Sequence, residues 1–217
     1  MFYNASIDEI LNNSKLAIMN AMNVPDIQEA LIPYTYTRER LEEGLHLFTI
    51  TQQAVMLREL RAGEQQDSTK TLKLARETAH RVYIRHVKLA RIAFQAHPEA
   101  RSTLGLEGSR ELAFAGRLTQ ARQFYTNTLN DPTIVAALIP FNISLADLNA
   151  ALALLDTAET AYAARQKAHA AAVQATRERN QTLQALKDWV SDLIAVARIA
   201  LEDRPQLLEA LGVVVRA

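Results

Sequence analysis

Shifted by 107 residues, the chain falls into register with itself. Ala90-Arg91-Ile92-Ala93, followed by Pro98 and Leu104-Gly105, recurs as Ala197-Arg198-Ile199-Ala200, followed by Pro205 and Leu211-Gly212. The same offset carries Asn20, Asn23, Pro25, Ile27 and Ala30-Leu31-Ile32-Pro33 onto Asn127, Asn130, Pro132, Ile134 and Ala137-Leu138-Ile139-Pro140. It also sets Leu41, Leu45, Leu47, Ala54 and Arg58 on Leu148, Leu152, Leu154, Ala161 and Arg165. Without a gap, 22 of the 110 overlapping pairs are identical, where this composition gives roughly nine by chance. The expectation is a tandem duplication, with helical repeat 1 over 1–107 and helical repeat 2 over 108–217, the two sharing one core.

The repeat also fixes the class. Ala and Leu fill 65 of the 217 positions, while Gly and Pro number six each, a balance that favours long helices over sheet. The chain reads as all-α, an antiparallel helical bundle with long helices. Each repeat opens with a helix, Ile7–Met22 and Leu112–Leu129. Asn23 and Asn130, two residues before a proline, suit N-caps of a short second helix, which ends at Ile32-Pro33 and Ile139-Pro140 because the residue before proline resists the α conformation. Thr37 and Ser144 then cap the main helix, and Ser144 with Asp147 approximates a capping box. Leu41, Leu45, Phe48 and Val55 keep helical apolar spacing, as do Leu148, Leu152, Leu155 and Tyr162. The apolar signal fades over Glu59–Thr71 and Gln166–Thr182 and then returns. Gly63 and the polar run Glu64–Ser68 favour a turn, so hairpins are expected. The alternative, one unbroken helix from Ser144 to Asp203, would be about 90 Å long. Gly105 and Gly212 suit the residue just past a helix end.

Composition excludes several functions. Lys plus Arg and Asp plus Glu are 24 each, so no net field recruits nucleic acid or an acidic membrane. Cysteine is absent, which removes disulfides, thiol nucleophiles and thiolate metal ligands. The first residues lack the pattern of a signal peptide. The longest uncharged run, Pro132–Ala146, is interrupted by Pro140, Asn142 and Ser144. No membrane span and a cytoplasmic location are therefore expected.

Glu43 with His46 and Glu77 with His80 have the i, i+3 spacing that di-iron and di-manganese bundles use for metal. Their phase opposes this reading, since Glu43 lies about 200° round the helix from Leu41. Positions 107 away hold Ala150, Ala153, Gln184 and Lys187. Surface pairs are the expectation, with a ferritin-like metal-binding or redox bundle as the alternative. His86 falls in an apolar series with Val82 and Trp189, and reads as a packed, hydrogen-bonded histidine. Trp189 reads as core. Arg58 with Arg165 and Arg91 with Arg198 are shared charges, which salt bridges explain as well as an anion or partner contact does. No phosphate loop, nucleophile elbow or zinc-helix motif occurs, so no catalytic residue and no cofactor is expected.

The charge pattern late in the long helices says more. Arg81, Arg85 and Lys88 form a basic stripe at i, i+4, i+7, where the other repeat has Asp188, Asp192 and Ala195. Solvated faces would explain this. So would two faces that meet, within one chain or between chains. A nucleic-acid stripe is disfavoured by the neutral total and the lack of interleaved aromatics. Val213-Val214-Val215 is an apolar tail that docks either on its own bundle or on a neighbour. The ending from Ala197 to Ala217, together with Tyr83–Leu106, resembles an uncharacterised family of bacterial all-helical proteins. That resemblance implies a bacterial origin and no activity, cofactor or site. The expected function is a non-enzymatic structural or interaction protein that self-associates into a homo-oligomer or head-to-tail polymer. A module for a small apolar ligand is a third class, and would require a cavity.

Overall fold

The computed structural model describes residue 2 and residues 4–213. The described residues are helical, without strands. In chain order the helices are α1 (Ile7–Asn23), α2 (Pro25–Leu31), α3 (Arg38–Ala93), α4 (Pro98–Thr103), α5 (Phe114–Leu129), α6 (Pro132–Leu138), α7 (Leu145–Ala200) and α8 (Leu207–Ala210). Three-residue 3-10 turns, Ile32–Tyr34 and Ile139–Phe141, follow α2 and α6. The starts of α1, α2 and α3 and those of α5, α6 and α7 are 107 residues apart.

Local chemistry explains these ends. Ser6 and Glu9 form a reciprocal capping box on α1, and Ser144 with Asp147 does the same on α7: Asp147 N–H donates to Ser144 Oγ at 3.2 Å and Ser144 N–H to Asp147 Oδ2 at 2.8 Å. The expected N-caps Asn23 and Asn130 are displaced by one residue. Val24 and Asp131 hold the position, because Pro25 and Pro132 occupy the first helical turn and the cap must directly precede it. Asp131 accepts from Thr133 N–H at 2.9 Å. After each 3-10 turn the chain reverses through a left-handed residue, Thr35 (φ 69°) or Asn142 (φ 57°).

The expected hairpins do not form. Both α3 and α7 are single helices of 56 residues. One glycine without a proline or a left-handed residue does not break a helix; it weakens it by about 1 kcal/mol. Around Gly63 the polar side chains are absorbed by the helix itself. Thr69 and Thr71 hydroxyls donate to the carbonyls of Gln65 and Asp67 at 2.8 and 2.9 Å, and Lys70 pairs with Asp67.

The chain divides into two compact units whose limits cut across the 107/108 boundary. The first comprises the segment up to Gly63 and that from Ala170 onward; the second is Glu64–His169. Each has its own buried apolar cluster. The first unit packs Ile18, Leu31 and Leu41 with Leu186, Leu193 and Leu211. The second packs Tyr83, Val87 and Leu104 with Phe124, Leu138 and Leu148. Each core therefore draws on both halves of the sequence. A matched pair of hydrogen bonds shows the same exchange: Asn20 Nδ2 donates to Ala210 O at 2.5 Å in the first unit, and Asn127 Nδ2 to Thr103 O at 2.6 Å in the second. This is a structural role for one of the asparagines identical at the offset.

Trp189 is partly rather than fully buried. It packs edge-on to Tyr36, with centroids 5.9 Å apart, and lies against buried Gly44; a Cβ there would sit 2.6 Å from Trp189 Cζ2. At the corresponding positions of the second unit are Ala151 and Val82, a residue with a Cβ paired with a much smaller aliphatic one. The large ring requires the glycine. Gly44→Ala should cost about 1–3 kcal/mol through overpacking, and Gly44→Ala with Trp189→Val should recover most of that loss in a urea melt. Gly63 differs: nothing lies within 4 Å of an added Cβ. Gly63→Ala should raise stability by about 0.5–1 kcal/mol, and a lower denaturation midpoint would contradict its helical environment.

Candidate functional site

Glu43, His46, Glu77 and His80 are all exposed, as their helical phase requires. Glu77 approaches Lys73 at 4.0 Å. Among the described residues no three His, Asp or Glu side chains converge as metal ligands would. Arg91 is engaged with the backbone, its Nε donating to Leu106 O at 2.9 Å and its Nη2 to Gly108 O at 3.3 Å.

Arg81, Arg85 and Lys88 are exposed on α3 in the second unit. They line an open groove with Ile84, Leu89 and Phe141, the aromatic residue of the second 3-10 turn. None of the three forms an ion pair among the described residues. In the first unit Asp188 and Asp192 are exposed on α7; Asp188 Oδ1 accepts from Gln184 Nε2 at 2.7 Å. One helical turn past Lys88, Ile92 is 60% exposed, and its counterpart Ile199 is 57% exposed. Val213 belongs to the core of its own unit. Gly212 turns left-handed (φ 75°) and Val213 N–H returns to Leu208 O at 3.1 Å, a helix-ending motif that packs the following apolar residue inward. Val214 and Val215 lie outside the described residues.

His86 is buried, 7% exposed, with its Nδ1 3.2 Å from the Tyr125 hydroxyl and its ring edge-on to that aromatic. Burial holds it below its ordinary pKa of 6.5; Asp147 opposes this and Arg85 adds to it. It is a packed histidine, as its apolar series implies.

A second feature of the second unit carries no sequence motif. A small chamber of about 40 Å³ opens between α3, α5 and α7, floored by Tyr83, Leu118 and Leu155, with Arg76 and Arg117 at its rim. Arg76 lies 4.6 Å above the Phe114 ring, and Phe114 tilts against Tyr162 with centroids 5.3 Å apart. Arg117 Nε is buried with no hydrogen-bond partner. A wider groove that shares Arg76, His80 and Arg117 adds Lys73, Glu77 and Arg165. The available signal was in the offset pairs: Arg117 falls where the other half has Ile10, and Ala79 where it has Leu186.

Among the described residues no single helix is long and apolar enough to cross a membrane. The chain matches no family model, and neither a curated protein nor a solved structure proves similar to it.

Two histidines contribute to the loss of stability on mild acidification. A proton binds His86 more weakly in the folded than in the unfolded chain, and His80, though exposed at its surface, is lowered likewise by partial desolvation of its ring and by Arg117. Their contribution is complete above about pH 6.5 and is lost as pH falls through the folded pKa. The melting temperature should drop between pH 7 and 5, and His86→Leu should flatten that slope.

Proposed function

We propose that this protein is a non-enzymatic, self-associating structural or interaction protein, built from two fused copies of one helical unit. The shared element starts at the 107-residue offset and the reciprocal Asn20 and Asn127 bonds support the duplication. Contacts of Gly44 with Trp189, and of Thr51 with the Thr182 carbonyl at 3.1 Å, support an antiparallel course of α3 and α7 within the first unit.

One observation carries the assembly reading. Equivalent exposed faces bear opposite charge, Arg81, Arg85 and Lys88 on one and Asp188 and Asp192 on the other, while both keep an exposed isoleucine in the same place. Ile32 and Ile139, 50% and 60% exposed, are a second such pair. The basic face of one molecule then meets the acidic face of the next. Such a heterologous contact propagates head to tail unless its rotation closes a ring. Exposed ion pairs contribute only about 0–1 kcal/mol each, so charge sets orientation while isoleucine burial supplies affinity. At low salt the protein should sediment well above 24.2 kDa, and its mass should fall as salt screens the contact. Arg81→Glu with Arg85→Glu should dissociate it, and adding Asp188→Arg with Asp192→Arg should restore assembly. A monomer at high micromolar concentration and low salt overturns this reading.

A further inference from the structure

We propose that the chamber between α3, α5 and α7 in the second unit, with the groove that opens beside it, binds a small organic anion with an apolar tail, of the medium-chain carboxylate class. The end of the tail rests on Tyr83, Leu118 and Leu155, and the anionic head meets Arg76 and Arg117.

Three observations converge on this assignment. The first is unmatched charge. Arg76, Arg117 and Arg165 form no ion pair among the described residues, and the one acidic side chain lining the groove, Glu77, is engaged by Lys73. The second is the buried Nε of Arg117, which has no acceptor. A desolvated guanidinium donor is costly to leave unmatched, and a carboxylate is the acceptor that its planar fork fits. Arg76 stacked on Phe114 is already held at the rim, so little side-chain freedom is lost when an anion arrives.

The third observation is internal to the sequence. Where the second unit has Arg76, Ala79, Arg117 and Leu155, the first has Leu183, Leu186, Ile10 and Phe48. Of these, Leu186, Ile10 and Phe48 are buried, at 0%, 5% and 7% exposure. One unit fills this space with large apolar side chains. The other trims them and introduces two arginines, a change that sacrifices core burial and gains a cationic, part-apolar recess. The inner chamber, about 40 Å³, admits only the end of an alkyl chain, and the wider groove beside it takes the remainder and the head.

The test is calorimetric titration of the full-length protein with sodium octanoate, with 1-octanol as the uncharged control. Octanoate should bind saturably, one per chain. Arg117→Ile and Ala79→Leu, which install the residues of the first unit, should each weaken it at least about tenfold, the first by losing a charge-assisted hydrogen bond and the second by filling the recess. Thermal melts should show both variants folded; should Ala79→Leu fail to fold, Arg76→Gln reads the same loss at the rim. No saturable binding at low millimolar octanoate overturns the proposal, as does octanol binding equally well or affinity unchanged in the folded variants. None of these outcomes depends on whether the protein self-associates.

Discussion

Two unbroken helices, each serving two cores, set the terms for everything else in this molecule. Helix α3 gives Leu41 and Phe48 to the first cluster and Tyr83 and Val87 to the second, while α7 gives Leu148 and Leu155 to the second and Leu186 and Leu193 to the first. Each core requires a segment from both helices. Between these segments burial falls to small residues such as Ala172 and Ala175, and polar side chains bond within their own turns or across, Gln65 Nε2 lying 3.1 Å from His169 Nδ1. The weakly apolar middle of each helix is thus compatible with continuity, because the large buried side chains that fix it lie on either side.

The helix ends explain why particular residue types recur at the offset. Prolines at 25 and 132 start the short helices, and glycines at 105 and 212 end the last ones with positive φ. The left-handed reversal is met differently, by Asn142 in one place and Thr35 in the other. Asparagine tolerates that backbone, whereas β-branched threonine carries strain there. Leu106 and Val213, following the two glycines, are turned inward alike.

Much of this was legible from residues alone. The all-α class, the capping box at Ser144 and Asp147, the exposure of Glu43, His46, Glu77 and His80 and the packed state of His86 follow from composition, phase and spacing. The expected hairpins give way to continuous helices because a fading apolar pattern and one glycine look alike in a turn and in a solvated stretch of helix. Apolar phase reports that one face of α3 is buried, but not that its two ends are buried in different clusters. Trp189 finds room for its ring beside Gly44, a complementarity that depends on which residues meet across helices. The chamber rimmed by Arg76 and Arg117 was hidden for a similar reason. Its residues come from three helices, and only a comparison of size and charge at paired positions singles them out.

The way the two units use the chain also orders their formation in time. Glu64–His169 is one contiguous stretch, whereas the first unit needs residues before Gly63 and after Ala170. On a chain made from its N-terminus, the second core has all its parts once His169 has been added. Ile18, Leu31 and Leu41 must wait for Leu186, Leu193 and Leu211, and the contacts they finally make span more than half the sequence. Contacts of that separation carry the larger loop-closure entropy and form late. During synthesis there is therefore an interval in which the N-terminal apolar surface is complete but uncovered, and the same C-terminal segment from another chain has the chemistry to cover it.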